Sequence, residues 1–199
     1  MIERSLVLDG PRVLLEPLDA RHLPALRAHC NDEALWEFTA QRAAFEREDV
    51  ARTWLDDALA TPDQVPFAIV DKQSGDAIGS TRYADIQPKN RKVEIGWTFV
   101  ARRFWRTHVN TECKYLLMRY AFEDWDAVRV SLKANSINMR SRAAIERIGA
   151  TYEGTLRNFR LNPRTGMPID SSYYSVIAAE WPAVKERLEA RLYTGPKPR

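Results

Sequence analysis

The apolar positions of this chain change period several times, and each change predicts an element. Val13, Leu14 and Leu15 before Glu16 make Arg12–Pro17 a first strand. Asp19 then precedes a helical pattern with Leu23, Leu26 and Cys30 on one face, and its carboxylate suits an N-cap. A second helical pattern runs from about Arg47 to Ala60, where Val50, Trp54, Leu55 and Leu59 share a face. Three strands follow. Phe67–Val70 is joined by a Ser74-Gly75-Asp76 turn to Ala77–Tyr83, and Val93–Phe99 comes next, with apolar odd positions and polar or small even ones. The period then lengthens again at Val109, Cys113, Leu116, Leu117 and Tyr120. Ala127–Lys133 alternates, with Val128, Val130 and Leu132 opposite Arg129, Ser131 and Lys133. Asn138–Ile148 is helical, and Gly149 stands where a helix C-cap glycine belongs. Two strands near Gly154–Leu161 and Tyr173–Ile177 precede a last helix from Pro182, carrying Val184, Leu188 and Leu192. About residues 193–199 read as a flexible tail. Consecutive strands favour antiparallel pairing, and the later strand–helix–strand unit favours a parallel one. The prediction is a single α/β (α+β) domain over residues 1–199, with a mixed, mostly antiparallel sheet flanked by helices.

Composition narrows the classes of function. A length of 199 residues suits one domain that needs no covalent staple. Thirty basic and 27 acidic side chains leave a net charge of +3, too small and too dispersed to predict nucleic-acid binding. Cys30 and Cys113 are far apart, and His22, His29 and His108 show no metal-ligand spacing with them, so no metal is expected. No stretch has the length of a membrane span or the apolar core of a signal peptide. The expectation is a cytoplasmic protein without a membrane partner, monomeric or homodimeric.

Three segments carry the candidate chemistry. The first is Val93-Glu94-Ile95-Gly96-Trp97, an acidic-then-glycine strand. The second runs Phe104-Trp105-Arg106-Thr107-His108-Val109-Asn110-Thr111-Glu112-Cys113-Lys114, a loop entering a helix. The third runs from Asn138-Met139-Arg140-Ser141 to Ile148-Gly149-Ala150. In this order and context, over about residues 10–192, they resemble the GNAT acetyltransferases, and more narrowly the ribosomal-protein N-terminal acetyltransferase branch.

That resemblance implies acetyl-CoA as co-substrate and a primary amine as acceptor. It places the pyrophosphate on backbone N–H groups of the turn Arg103–Val109, including Trp105, Arg106, Thr107 and His108, and on the start of the helix at Asn110. It places the pantetheine in a gap beside the central strand, against Trp97, Thr98 and Phe99. The family's glycine-rich pattern, registered on Arg103, puts Arg106 and His108 at its two small-residue positions. Neither matches glycine's freedom at positive φ, but both offer positive charge to phosphates.

An amine acceptor is protonated at neutral pH and needs a base. Glu94 holds the family's acidic position, as that base or as a salt-bridged strand glutamate. The tyrosine that many members carry seven residues after the helix asparagine is here Ile145, which leaves Ser141 to hydrogen-bond the departing sulfur. A first-turn backbone bond is Ser141's other reading. Tyr173 and Tyr174 are alternative acids, and Asn138 orders the helix start and touches the pantetheine arm. Trp36 and Phe38 either line the acceptor groove or close the core, while Trp54 and Trp125 read as packing. The acceptor is a protein N-terminus or a small-molecule amine, and a catalytically weak acyl-CoA-binding module is the rival reading.

Overall fold

The computed structural model describes residues 2–38, 43–162 and 165–194. Along the chain lie β1 (Leu8–Asp9), β2 (Val13–Pro17), α1 (Leu23–His29), α2 (Ala43–Glu46), α3 (Glu48–Ala60), β3 (Val65–Asp71) and β4 (Ala77–Gln87). Then come β5 (Lys92–Val100), α4 (Val109–Arg119), β6 (Arg129–Asn135), α5 (Met139–Arg147), β7 (Thr151–Leu161), β8 (Pro168–Ile177) and α6 (Trp181–Glu189). Among the described residues one eight-stranded sheet runs β1-β2-β3-β4-β5-β6-β8-β7. Its pairs are antiparallel except β5–β6, as the element order predicts.

The differences from the sequence reading are mostly at boundaries. β1 and α2 are too short to show a period, and β4, β7 and β8 extend beyond the predicted strands. Val128 lies just before β6 and is exposed, so the buried face of that strand is Val130, Leu132 and Ala134. Residues 195–199 of the expected tail lie outside the described residues. The caps are as predicted. Asp19 accepts the Arg21 N–H at 2.8 Å, and Asn138 accepts the Ser141 N–H at 3.0 Å. Gly149 follows α5 at φ 101°, a conformation that costs glycine nothing.

Adjacent positions on β4 show which helices cover which face, since neighbouring side chains on a strand point opposite ways. The Arg82 guanidinium lies over the Trp54 ring of α3. The Thr81 hydroxyl instead meets Thr98, which Lys114 of α4 also reaches. Thus α1 and α3 cover one face, and α4 and α6 cover the other. On the first face Trp36, Phe45, Trp54 and Phe99 form one aromatic cluster, with Trp36 stacked on Phe45 at 4.9 Å between centroids. Trp36 therefore closes the core and does not line a groove, and Trp54 packs as expected.

The other face is fastened through a buried carboxylate. Glu112 of α4 is fully buried and accepts the backbone N–H groups of Arg12 at 2.9 Å and Val13 at 3.1 Å. It also pairs with the Arg12 guanidinium at 3.2 Å. One charged group thereby satisfies the start of β2 and fixes where α4 crosses the sheet. Glu112→Ala is expected to lower unfolding free energy by about 3 kcal/mol in urea denaturation, because it strands two buried donors and a cation. A loss under about 1 kcal/mol would contradict this role.

Candidate active site

The parallel pair β5–β6 is short. Lys92 faces Arg129, Val93 faces Val130 and Glu94 faces Ser131, and there the pairing stops. β5 nevertheless continues to Val100 and β6 to Asn135. The two strands part, and the gap the resemblance implies lies between Ile95–Val100 and Leu132–Asn135.

A bulge on the other side of β5 accompanies the parting. Arg82 faces Gly96 and Ser80 faces Phe99, so Trp97 and Thr98 together oppose Thr81. Trp97 takes φ 49°, in the left-handed region. This corrects the uniform alternation read over Val93–Phe99. The extra residue divides the run, so that Val93 and Ile95 face α4 while Trp97 and Phe99 face α3. Trp97 is 41% exposed, with its ring 5.8 Å from the Arg82 guanidinium and 5.5 Å from the Lys133 ammonium. Phe99 is buried in the aromatic cluster, so only its backbone is open to the gap. Thr98 turns toward α4, where Lys114 donates to its hydroxyl at 2.6 Å. Burial pushes the Lys114 ammonium down to about 8.

The turn from β5 into α4 gathers the predicted loop residues. The Trp105 indole N–H donates to the Val100 carbonyl at 2.8 Å, holding the turn against the end of β5. Arg106 adopts φ 60°, so the position where the family has glycine keeps a left-handed backbone without one. Its side chain is exposed and, among the described residues, has no ion-pair partner. Arg103 is exposed as well, with its guanidinium 4.9 Å from the Phe104 ring centroid. Thr107 donates through its hydroxyl to the Phe104 carbonyl at 2.7 Å. His108 stands at the N-cap in ordinary helical conformation and makes no side-chain cap bond to α4. Burial, with Arg12 nearby, holds its imidazole below the usual histidine range, so His108 is not a source of positive charge at neutral pH. Val109 is fully buried and anchors the helix, while Asn110 is half-buried.

The start of α5 sits beside this turn, since the Arg140 guanidinium lies 3.9 Å from the Trp105 ring centroid. Asn138 is spent on its cap. The half-buried Ser141 uses its N–H there, and among the described residues its hydroxyl has no hydrogen-bond partner. Ile145 is buried in the core. Tyr174 is buried too, and its hydroxyl donates to Glu146 at 3.1 Å and accepts from Arg142 at 2.9 Å, which makes it a structural tie rather than an acid.

Glu94 lies on the α3 face of the sheet, 5% exposed, with one carboxylate oxygen 3.0 Å from the Lys133 ammonium. The other oxygen is buried without a hydrogen-bond partner. It sits where a Cβ on Gly96 would come within 3.0 Å, so glycine is the residue that leaves it room. Burial raises the Glu94 carboxyl above its ordinary range, and Lys133 opposes that rise. Tyr173, opposite Lys133 on β8, belongs to this cluster. Glu94 and Ser141 are not in contact. The sequence reading missed Lys133, Lys114, Arg82 and Arg140. A shallow depression on β7–β8, lined by Thr155, Leu156, Arg157, Asn158 and Asp170, contains none of these residues.

The comparisons agree with this geometry. Residues 12–151 match the acetyltransferase (GNAT) domain family. The chain is 33% identical over 178 residues to YdaF of Bacillus subtilis (strain 168), described as “Putative ribosomal N-acetyltransferase”, covering 86% of this chain and 93% of that protein. An acetyltransferase structure from T. thermophilus superposes with a TM-score of 0.88 at 39% identity, covering 97% of this chain and 100% of the other. A GCN5-related N-acetyltransferase from Brucella melitensis superposes with a TM-score of 0.83 at 28% identity, covering 97% and 90%. The parted central strands, the turn before α4 and these matches together make the chain a member of the GNAT family of acetyl-CoA-dependent N-acetyltransferases.

Proposed function

We propose that the chain transfers an acetyl group from acetyl-CoA to the α-amine of a protein N-terminus, in the cytoplasm. The description of the Bacillus subtilis relative points to ribosomal proteins as the acceptor class. The observation that carries the reading is the gap between β5 and β6, with the uncapped start of α4 on one side and the Glu94 carboxylate on the other.

The residues fit the co-substrate. The first turn of α4 has no side-chain cap, which leaves its backbone N–H groups for a pyrophosphate. Arg103 and Arg106 add positive charge there, and Trp105, Thr107, His108, Val109 and Asn110 shape the turn that presents those groups. The unpaired edge of β5 at Trp97, Thr98 and Phe99 offers backbone donors and acceptors to the pantetheine amides. When bound, acetyl-CoA supplies the thioester. Glu94 takes the proton that the acceptor amine must lose, and its burial makes it a stronger base than an exposed glutamate. The Ser141 hydroxyl, free of other partners among the described residues, donates to the departing sulfur, while Asn138 orders the turn that carries it. The rest of the rate comes from holding amine and thioester together.

Thiol release measured against peptides with free N-termini and against small amines tests the acceptor. Turnover of the peptides, lost when their α-amine is blocked, is expected, whereas turnover of small amines alone would contradict the reading. Glu94→Gln is expected to lower kcat by roughly 100-fold or more and to remove the limb of the profile that rises with pH, with acetyl-CoA affinity little changed. An unaltered rate and profile would remove Glu94 as the base. Ser141→Ala should slow turnover without weakening acetyl-CoA binding, whereas a loss of folding would assign it to the helix start. Arg106→Gly relieves a left-handed non-glycine residue but deletes a cation, so calorimetry should show acetyl-CoA affinity falling by about tenfold. A rise in affinity would mean that the arginine only crowds the turn.

A further inference from the structure

Lys133 has no place in the mechanism above, yet it is held more closely than any role in solvation requires. It stands two residues beyond the last β5–β6 pair, at the lip of the gap. Its ammonium is 5.5 Å from the Trp97 ring centroid, 5.5 Å from Phe159 and 6.0 Å from Tyr173, while its side chain keeps 30% of its exposure. The rings come from β5, β7 and β8, so three strands converge on one cation. Trp97 reaches it only because the bulge turns that residue away from the α4 face. The same ammonium lies 3.0 Å from a Glu94 oxygen.

We propose that Lys133 is the positioning residue of Glu94: the three rings fix its ammonium, and the ammonium fixes the carboxylate, ionised and ready to receive the acceptor's proton. This rests on the reading of Glu94 as the base. The physical need is plain. A buried carboxylate with one unpartnered oxygen tends to take up a proton, and a protonated glutamate is no base. The other charged groups near Glu94 do little to prevent this. Asp85 of β4 pushes the carboxyl further up, while Lys92 of β5 itself works weakly the other way. Tyr173 of β8 has its own ionisation made harder by Glu94 and stays neutral. Lys133 is the dominant group favouring the charged form. Its positive charge at the lip of the gap also disfavours a second ammonium beside it, which helps the incoming amine to give up its proton.

The test follows the Glu94 carboxyl by carbon NMR as pH is varied, with the resonance assigned through Glu94→Gln. Lys133→Gln is expected to move its midpoint to higher pH, and Lys133→Arg to leave it near the wild-type value. With a peptide acceptor, the ascending limb of kcat/KM should move the same way in Lys133→Gln. The result is a several-fold loss at low pH that recovers at high pH, which a packing defect would not do. An unmoved Glu94 midpoint in folded Lys133→Gln overturns the proposal. Should that variant not fold, the wild-type Lys133 side-chain nitrogen decides. Slow exchange of its protons, lost in Glu94→Gln, supports the hold, and exchange as fast as that of a free lysine overturns it. Full activity of Glu94→Gln would remove the base, whereas the NMR result judges the hold of Lys133 on the carboxylate separately.

Discussion

β5 and β6 pair over three residues and then part, and what is distinctive in this sheet follows from that parting. A parallel pair normally leaves no backbone free in the middle of a sheet. Here the far end of β5 keeps its bonds to β4 and gives up those toward β6, while β6 turns its other edge to β8. A gap opens in the centre of the fold, bordered by backbone groups and not by a loop. The bulge at Trp97 and Thr98 works with it, because the extra residue sends Trp97 to the α3 face and Thr98 to the α4 face. The same turn of chain thus supplies one wall of the gap and the ring that grips Lys133.

Buried charge is distributed around that gap, and each instance has a local reason. Glu112 is fully buried but satisfied by two backbone donors and Arg12, so it serves as a fastener. Lys114 is pushed down to about 8 by burial and donates to Thr98, which bridges to Thr81 on the neighbouring strand. Glu94 differs from both. It has a single ionic partner and an oxygen with none, an arrangement that costs stability and is more often retained for chemistry than for folding.

Much of the fold could be read from the chain because its periods are clean. Val109, Cys113, Leu116 and Leu117 are all buried on one helix, and Val130 and Leu132 on one strand. Asp19, Asn138 and Gly149 cap where their chemistry suggests. The bulge was hidden because Val93, Ile95, Trp97 and Phe99 alternate without a break, and a register shift leaves no mark on such a run. The Glu94–Lys133 pair was hidden for a related reason. Both residues stand on the polar side of their strands, but only the parallel register of Glu94 on Ser131 brings them together. His108 looked like a cation in sequence, and its burial is a tertiary fact.

The central claim is that the parted edge of β5 and the uncapped start of α4 form the binding surface for acetyl-CoA. Backbone hydrogen exchange, followed with and without saturating acetyl-CoA, tests it most directly. The account predicts added protection at Trp97–Val100 and Arg106–Asn110, with β1, β2 and β7 unchanged. Exchange that is unaltered at both segments, or protection confined to the β7–β8 edge, would contradict it.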